Sequence, residues 1–82
     1  MTQTISKDKK RLISNRLRQV MGRRTQTEWG RELGFPQQTI SRYLRDGHAL
    51  RMDFLLQLSQ QDHVNVNWLL TGEGRMRRQQ IQ

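Results

Sequence analysis

The stretch TQTEWGRELGFPQQTISRYLRDG, residues 25–47, decides the fold of this 82-residue chain. Apolar residues recur at helical spacing and predict one helix over 26–33 and a second over 36–45. Gly34 ends the first helix, and Pro36 suits the first position of the second, where its missing N–H costs nothing. Two helices joined by so short a turn indicate a helix-turn-helix.

The turn chemistry of the stretch supports this interpretation. Thr25 and Glu28 have the spacing of a capping box, in which each side chain satisfies the backbone N–H of the other residue. Gly34 can adopt the positive φ that the turn requires. Gly30 lies inside a helix, where glycine costs about 1 kcal/mol against alanine. We therefore predict that Gly30 marks the close crossing of the two helices.

The remaining apolar spacing predicts three further helices, which begin at Ser6 or Lys7, near Met52, and after the capping residue Asn65. No strand pattern and no internal repeat is present. The chain is thus expected to be an all-α protein with five helices. We divide it into a mobile N-terminal arm, 1–6, a helical domain, 7–74, and a basic flexible tail, 75–82, without partners for burial.

Charge is the strongest compositional signal. Fifteen Lys and Arg residues oppose seven Asp and Glu residues, which gives a formal net charge of +8. Twelve of the fifteen are Arg, whose planar fork suits bidentate contacts to phosphate or guanine. The positive electrostatic field of so basic a chain favours a polyanionic partner, and nucleic acid is the commonest one.

Several classes of function are disfavoured by the composition. The chain has no cysteine, and His48 and His63 lie apart without a carboxylate cluster, so no metal site is expected. No apolar run approaches the ~20 residues of a membrane span, and the N-terminus lacks the apolar core of a signal peptide. We expect a cytoplasmic protein with no cofactor, no membrane partner and no small-molecule substrate.

The second helix of the opening stretch has an unusual polar face. Ordinary solvated faces are rich in Glu and Lys, but this face has no acid before Asp46. Gln can bridge N6 and N7 of adenine, and Arg can bridge O6 and N7 of guanine, both in the major groove of DNA. Opposite the apolar Ile40 and Tyr43, this face carries Gln37, Gln38, Ser41, Arg42 and Arg45.

Three segments together resemble the helix-turn-helix domain of bacteriophage CI-type repressors, within the lambda-repressor-like superfamily. They are RLRQVMGRR at 16–24, the opening stretch at 25–47, and VNVNWLLTGEG at 64–74. The last resembles the closing helix of that family, which many other helix-turn-helix proteins lack. The resemblance covers roughly residues 11–74 and implies a five-helix fold that binds double-stranded DNA.

The resemblance also implies roles for individual residues. Gln37, Gln38, Ser41 and Arg42 occupy base-reading positions of the recognition helix. Backbone contacts are implied for Gln26 at the start of the preceding helix, for Arg45 and Arg51, and for Arg23 and Arg24 in the turn before that helix. The family further implies homodimers on palindromic operators, hence a transcriptional repressor.

Two positions depart from the family pattern. Pro36 stands where relatives place Ser or Thr, and it lacks a hydroxyl to cap the helix or to bond a phosphate. His63 stands where Gly commonly follows the fourth helix; a turn with positive φ there would strain it. Trp68 is expected in the core; the alternative is that Val66 or Trp68 lies partly in a dimer interface.

Two other functions are weighed against DNA-binding repression. An antitoxin or antirepressor would act through a protein partner bound by the tail, where Met76 and Ile81 are the apolar anchors. Some relatives continue into a self-cleaving serine–lysine peptidase, but the lysines here lie in or beside the N-terminal arm. We therefore expect no enzyme. Whether the chain is a complete repressor or the N-terminal domain of a longer one stays open.

Overall fold

The structure is a computed structural model that describes residues 7–47 and 50–78. The predicted arm, 1–6, and the last four residues of the predicted tail lie outside these ranges. The only strand-like pairing within them is an isolated bridge between Val64 and Arg77, so the predicted all-α, five-helix fold is confirmed. The helices are α1, Lys7–Met21; α2, Gln26–Leu33; α3, Gln37–Arg45; α4, Met52–Gln61; and α5, Val66–Thr71.

One hydrophobic core joins all five helices. Phe54 of α4 is its aromatic centre, with ring centroids 6.1 Å from Trp29, 5.4 Å from Phe35 and 4.6 Å from Tyr43. Edge-on and tilted aromatic contacts of this kind add to the free energy gained by burying the rings. The other buried apolar residues are Ile13, Leu17, Val20, Leu33, Ile40, Leu44, Leu58, Val64 and Leu69.

The start of α2 and its crossing with α3 follow the prediction. Thr25 Oγ1 accepts from the Glu28 N–H at 3.0 Å, and Glu28 Oε1 accepts from the Thr25 N–H at 2.9 Å. A Cβ atom on Gly30 would lie 2.6 Å from Phe35 O, inside any permitted contact distance. The absence of a side chain at Gly30 therefore sets how closely the two helices approach, while Gly34 ends α2 at φ 82°.

The predicted start of α3 is wrong by one residue. Pro36 has φ −61° and ψ 149°, so it is the N-cap residue and not the first residue of the helix. Its carbonyl still accepts from the N–H groups of Thr39 and Ile40, at 3.0 and 3.2 Å. An N-cap residue needs an extended ψ and a free carbonyl, both of which proline provides.

The strained turn predicted after α4 is present. His63 has φ 57° and is the one non-glycine residue of the described chain with positive φ. A side chain in this left-handed region costs about 1–2 kcal/mol. Beyond the turn, Asn65 Oδ1 caps α5 by accepting from the Asn67 N–H at 3.1 Å, as predicted.

The segment 64–74, which resembles the closing helix of the family, contacts α1 through Arg16. Gly72 ends α5 at φ 84°. A Cβ atom there would lie 2.6 Å from Nη2 of Arg16, whose Nη1 donates to Leu69 O at 3.1 Å. Trp68 packs against the core as predicted, but like Val66 it stays partly exposed.

The segment after α5 makes contacts that the sequence analysis did not expect. Asn65 N donates to Met76 O at 2.8 Å, and Arg78 N donates to His63 O at 2.7 Å. The Met76 side chain is partly buried against the core. The expectation that the tail lacks partners for burial is therefore wrong for Met76 to Arg78, which pair with the turn between α4 and α5.

Candidate nucleic-acid interface

Helix α3 presents the polar face that the sequence predicted. Gln37, Gln38, Arg42 and Arg45 are exposed and Ser41 is partly exposed. On the opposite side Ile40, Tyr43 and Leu44 are buried, each at most 2% exposed. The apolar half of the helix thus fixes its rotation, and the side chains able to read bases point away from the core.

A hydrogen bond links the beginnings of α2 and α3. Gln37 Nε2 donates to Gln26 Oε1 at 3.3 Å across the turn. These are the predicted base-reading and backbone-binding glutamines at the start of each helix. Holding the two amides together lowers the conformational entropy that each would lose on binding DNA.

Arg42 and Arg51 are placed differently around α3. The Arg42 guanidinium lies over the Tyr43 ring, 5.8 Å from its centroid, which orients it in a cation–π contact. Arg51 directly precedes α4 and forms an exposed ion pair with Asp53 at 3.3 Å. Because exposed pairs are weak, the Arg51 guanidinium can exchange Asp53 for a phosphate.

The two arginines before α2 differ in their exposure to solvent. Arg23 is exposed in the turn. Arg24 is turned inward, and its five N–H groups all have acceptors inside the chain: Met21 O, Val20 O, both Asp62 carboxylate oxygens and Glu32 Oε2, at 2.7 to 3.4 Å. No donor is left for a phosphate. The structure thus argues against the backbone contact predicted for Arg24.

Arg24 instead belongs to a polar cluster that joins three helices. Asp62 Oδ2 also accepts from Trp29 Nε1 at 2.8 Å, so one carboxylate at the end of α4 binds both residues. Burial of the Arg24 guanidinium opposes its charge, but the hydrogen bonds and charge of Asp62 outweigh this and raise the pKa of Arg24. The cluster fixes how the α1–α2 turn is held to α4.

Sequence reasoning missed a basic cleft between α1 and the end of α3. Cations from both helices line this cleft, and Arg18 Nη2 donates to Leu44 O at 2.9 Å. The signal was the i, i+7 spacing of Arg11 and Arg18, which places both on one side of α1. The lining residues are Lys10, Arg11, Ser14, Asn15, Arg18, Leu44, Arg45 and Asp46.

The described ranges contain no group of three or more potential metal-ligating side chains. Within them no helix is both long and apolar enough to cross a membrane.

Helices α2 and α3 contact each other at Gly30, and α3 presents amides and guanidinium groups to solvent. This arrangement defines a helix-turn-helix DNA-binding domain. The family model of the bacteriophage CI repressor helix-turn-helix domain matches residues 13–77, and the chain belongs to that family. Neither the curated proteins nor the solved structures gave a match. The resemblance noted in the sequence is thereby confirmed, and the chain is a DNA-binding domain of the repressor type.

Proposed function

We propose that this protein is a sequence-specific transcriptional repressor that binds a palindromic operator as a homodimer. Each subunit places α3 in one major groove, with the two half-sites about one helical turn apart. The observation that supports this most directly is the exposed face of α3, where the residues proposed to read bases are Gln37, Gln38, Ser41 and Arg42. Repression follows from occlusion of a promoter.

Contacts to the DNA backbone supply most of the affinity and make it salt-dependent. We retain Gln26, Arg23, Arg45 and Arg51 in this set and omit Arg24, whose donors are occupied inside the chain. The basic cleft next to Arg45 extends the set along α1, with Arg18 as its best-anchored member. These backbone contacts fix the position of the protein along the duplex, while the polar face of α3 recognises the base sequence.

For the homodimer, the partly exposed Val66 and Trp68 at the start of α5 agree with the dimer region implied by the family. Leu56 of α4 is 52% exposed and supplies further uncovered apolar surface. Sedimentation equilibrium with and without operator tests the dimer. A protein that stays monomeric when bound to a full palindrome would contradict it.

The alternative of a tail that captures a protein partner loses support. One of its two apolar anchors, Met76, packs on the core of its own domain. Its other anchor, Ile81, lies outside the described residues.

Selection of bound sequences from a random duplex library, at two salt concentrations, tests the proposal. We expect an enriched palindromic motif whose half-sites are one helical turn apart. Salt-sensitive binding without any enriched motif would mean that the net charge acts alone, and it would overturn the repressor function.

A further inference from the structure

The segment after α5 brings an arginine to the turn that precedes α2. Arg77 Nε donates to Asp62 O at 3.2 Å, and its Nη2 donates to Val20 O at 3.4 Å. Both carbonyls lie at helix ends. Val20 O also accepts from Arg24 Nη2 at 2.7 Å, so the two arginines share this acceptor. Pairing of Arg77 with Val64 in the isolated bridge fixes its backbone as well.

Arg77 therefore keeps a defined position while its side chain stays exposed. Of the five N–H groups of a guanidinium, two are used on these carbonyls and a third lies 3.9 Å from Met76 Sδ. At least two donors remain for a ligand. Because the side chain is already anchored, binding a ligand through them costs little further rotamer entropy.

The cleft beside Arg77 adjoins the proposed backbone-binding end of α2. Gln19, Gly22, Arg23 and Glu28 line it together with Arg77. Arg23 has no ion pair within residues 7–47 and 50–78. Two carboxylates also line the cleft: Asp62, which is paired with Arg24, and Glu28, whose Oε1 accepts from the Thr25 N–H. Arg23 and Arg77 are therefore the two cations of the cleft that form no ion pair within the described residues.

We propose that Arg77 and Arg23 together bind a DNA backbone phosphate beside the one contacted by Gln26, outside the bases that α3 reads. The inference rests on the proposed function, because it takes the anion to be duplex DNA. A strand held by Gln26 at the N-terminus of α2 continues past the α1–α2 turn, where the two guanidinium groups flank the cleft. The segment after α5 thus forms part of the DNA-binding surface.

The test uses Arg77→Gln, which keeps an N–H donor at the position of Nε, where Arg77 donates to Asp62 O, but removes the charge. Its control is Arg75→Gln, which loses the same charge from an exposed position where Arg75 forms no ion pair or side-chain hydrogen bond within the described residues. We expect Arg77→Gln, but not Arg75→Gln, to reduce the slope of log affinity against log salt by about one unit for every duplex sequence.

Duplexes with one neutral methylphosphonate at successive positions locate the contact. We expect wild-type protein to lose affinity at one phosphate flanking the half-site, and Arg77→Gln to be insensitive to neutralisation at that position. Equal sensitivity of the two proteins at every position, with an unchanged salt slope, would overturn the proposal. Melting curves of both variants show whether each domain remains folded.

The two proposals fail in different ways. If wild-type protein enriches no motif but Arg77→Gln still lowers the salt slope, the phosphate site stands and the repressor function falls. If wild-type protein selects a palindrome and Arg77→Gln binds it with the wild-type slope, the repressor function stands and the phosphate site falls.

Discussion

Arg24 and Asp62 form a bidentate ion pair, with Nη1–Oδ1 at 3.1 Å and Nη2–Oδ2 at 3.0 Å. The same carboxylate accepts from Trp29 Nε1, so a single side chain ties the α1–α2 turn and α2 to the end of α4. The Asp62 side chain is only 11% exposed. The helix that carries Gln26 is thus positioned by a polar contact with the end of α4.

We expect Asp62→Asn to lower the free energy of unfolding by about 2 kcal/mol, because charged hydrogen bonds to a largely buried arginine are lost. Chemical denaturation measures this change. Asp53→Asn is the matched control: its pair with Arg51 is mostly exposed, and its loss should cost less than about 1 kcal/mol. Equal effects of the two substitutions would contradict the importance of the Arg24–Asp62 pair.

Gly30→Ala should destabilise the domain by about 1–3 kcal/mol, because the new Cβ meets a backbone oxygen that no rotamer change can move away. Thermal unfolding checks the prediction. Arg31→Ala, at the exposed neighbouring position, should leave the melting temperature nearly unchanged. A Gly30→Ala protein that melts with the wild type would refute the close helix crossing.

His63→Gly should raise the free energy of unfolding by about 0.5–1 kcal/mol. Glycine relieves the left-handed strain at φ 57°, although its larger unfolded-state entropy offsets part of the gain. His63→Ala keeps a Cβ at the same φ and should bring no such gain. If alanine stabilised the protein as much as glycine, the destabilisation would come from the imidazole side chain and not from the backbone conformation.

The capping box gives the stability of the domain a defined pH dependence. Hydrogen bonds from the backbone and side chain of Thr25 lower the pKa of Glu28 below its usual value. A lowered folded-state pKa contributes stability that is complete above the unfolded value of about 4.3 and is lost as pH falls through the folded value. Glu28→Gln should therefore melt below wild type at neutral pH, and the difference should shrink in acid. A difference that stays constant down to pH 2 would contradict this.

Arg42→Ala should relax sequence preference at one base pair by about 1–3 kcal/mol, since Arg42 is exposed on the polar face of α3 and the Tyr43 ring orients its guanidinium. Arg51→Ala, by contrast, should weaken binding to all sequences alike. Competition binding against single-base operator variants separates the two effects. An unchanged preference profile for Arg42→Ala would remove it from the base-reading set.

Local information in the sequence determined the five helices, the caps at Thr25 and Asn65, and the exposed face of α3. Helix periodicity and capping act over a few neighbouring residues, so the chain encodes them directly. The same reasoning placed Pro36 only one residue from its observed role, whereas the prediction of strain at His63 followed from its departure from the family pattern.

Only the tertiary structure decided which cations remain available to DNA. Arg23 and Arg24 are adjacent and chemically identical, yet one is exposed and the other is bound to a carboxylate 38 residues away. Arg77 reaches Val20 O across 57 residues in the same way. Such pairings depend on how distant segments meet in space, because electrostatic and hydrogen-bond energies follow distance between atoms and not position along the chain.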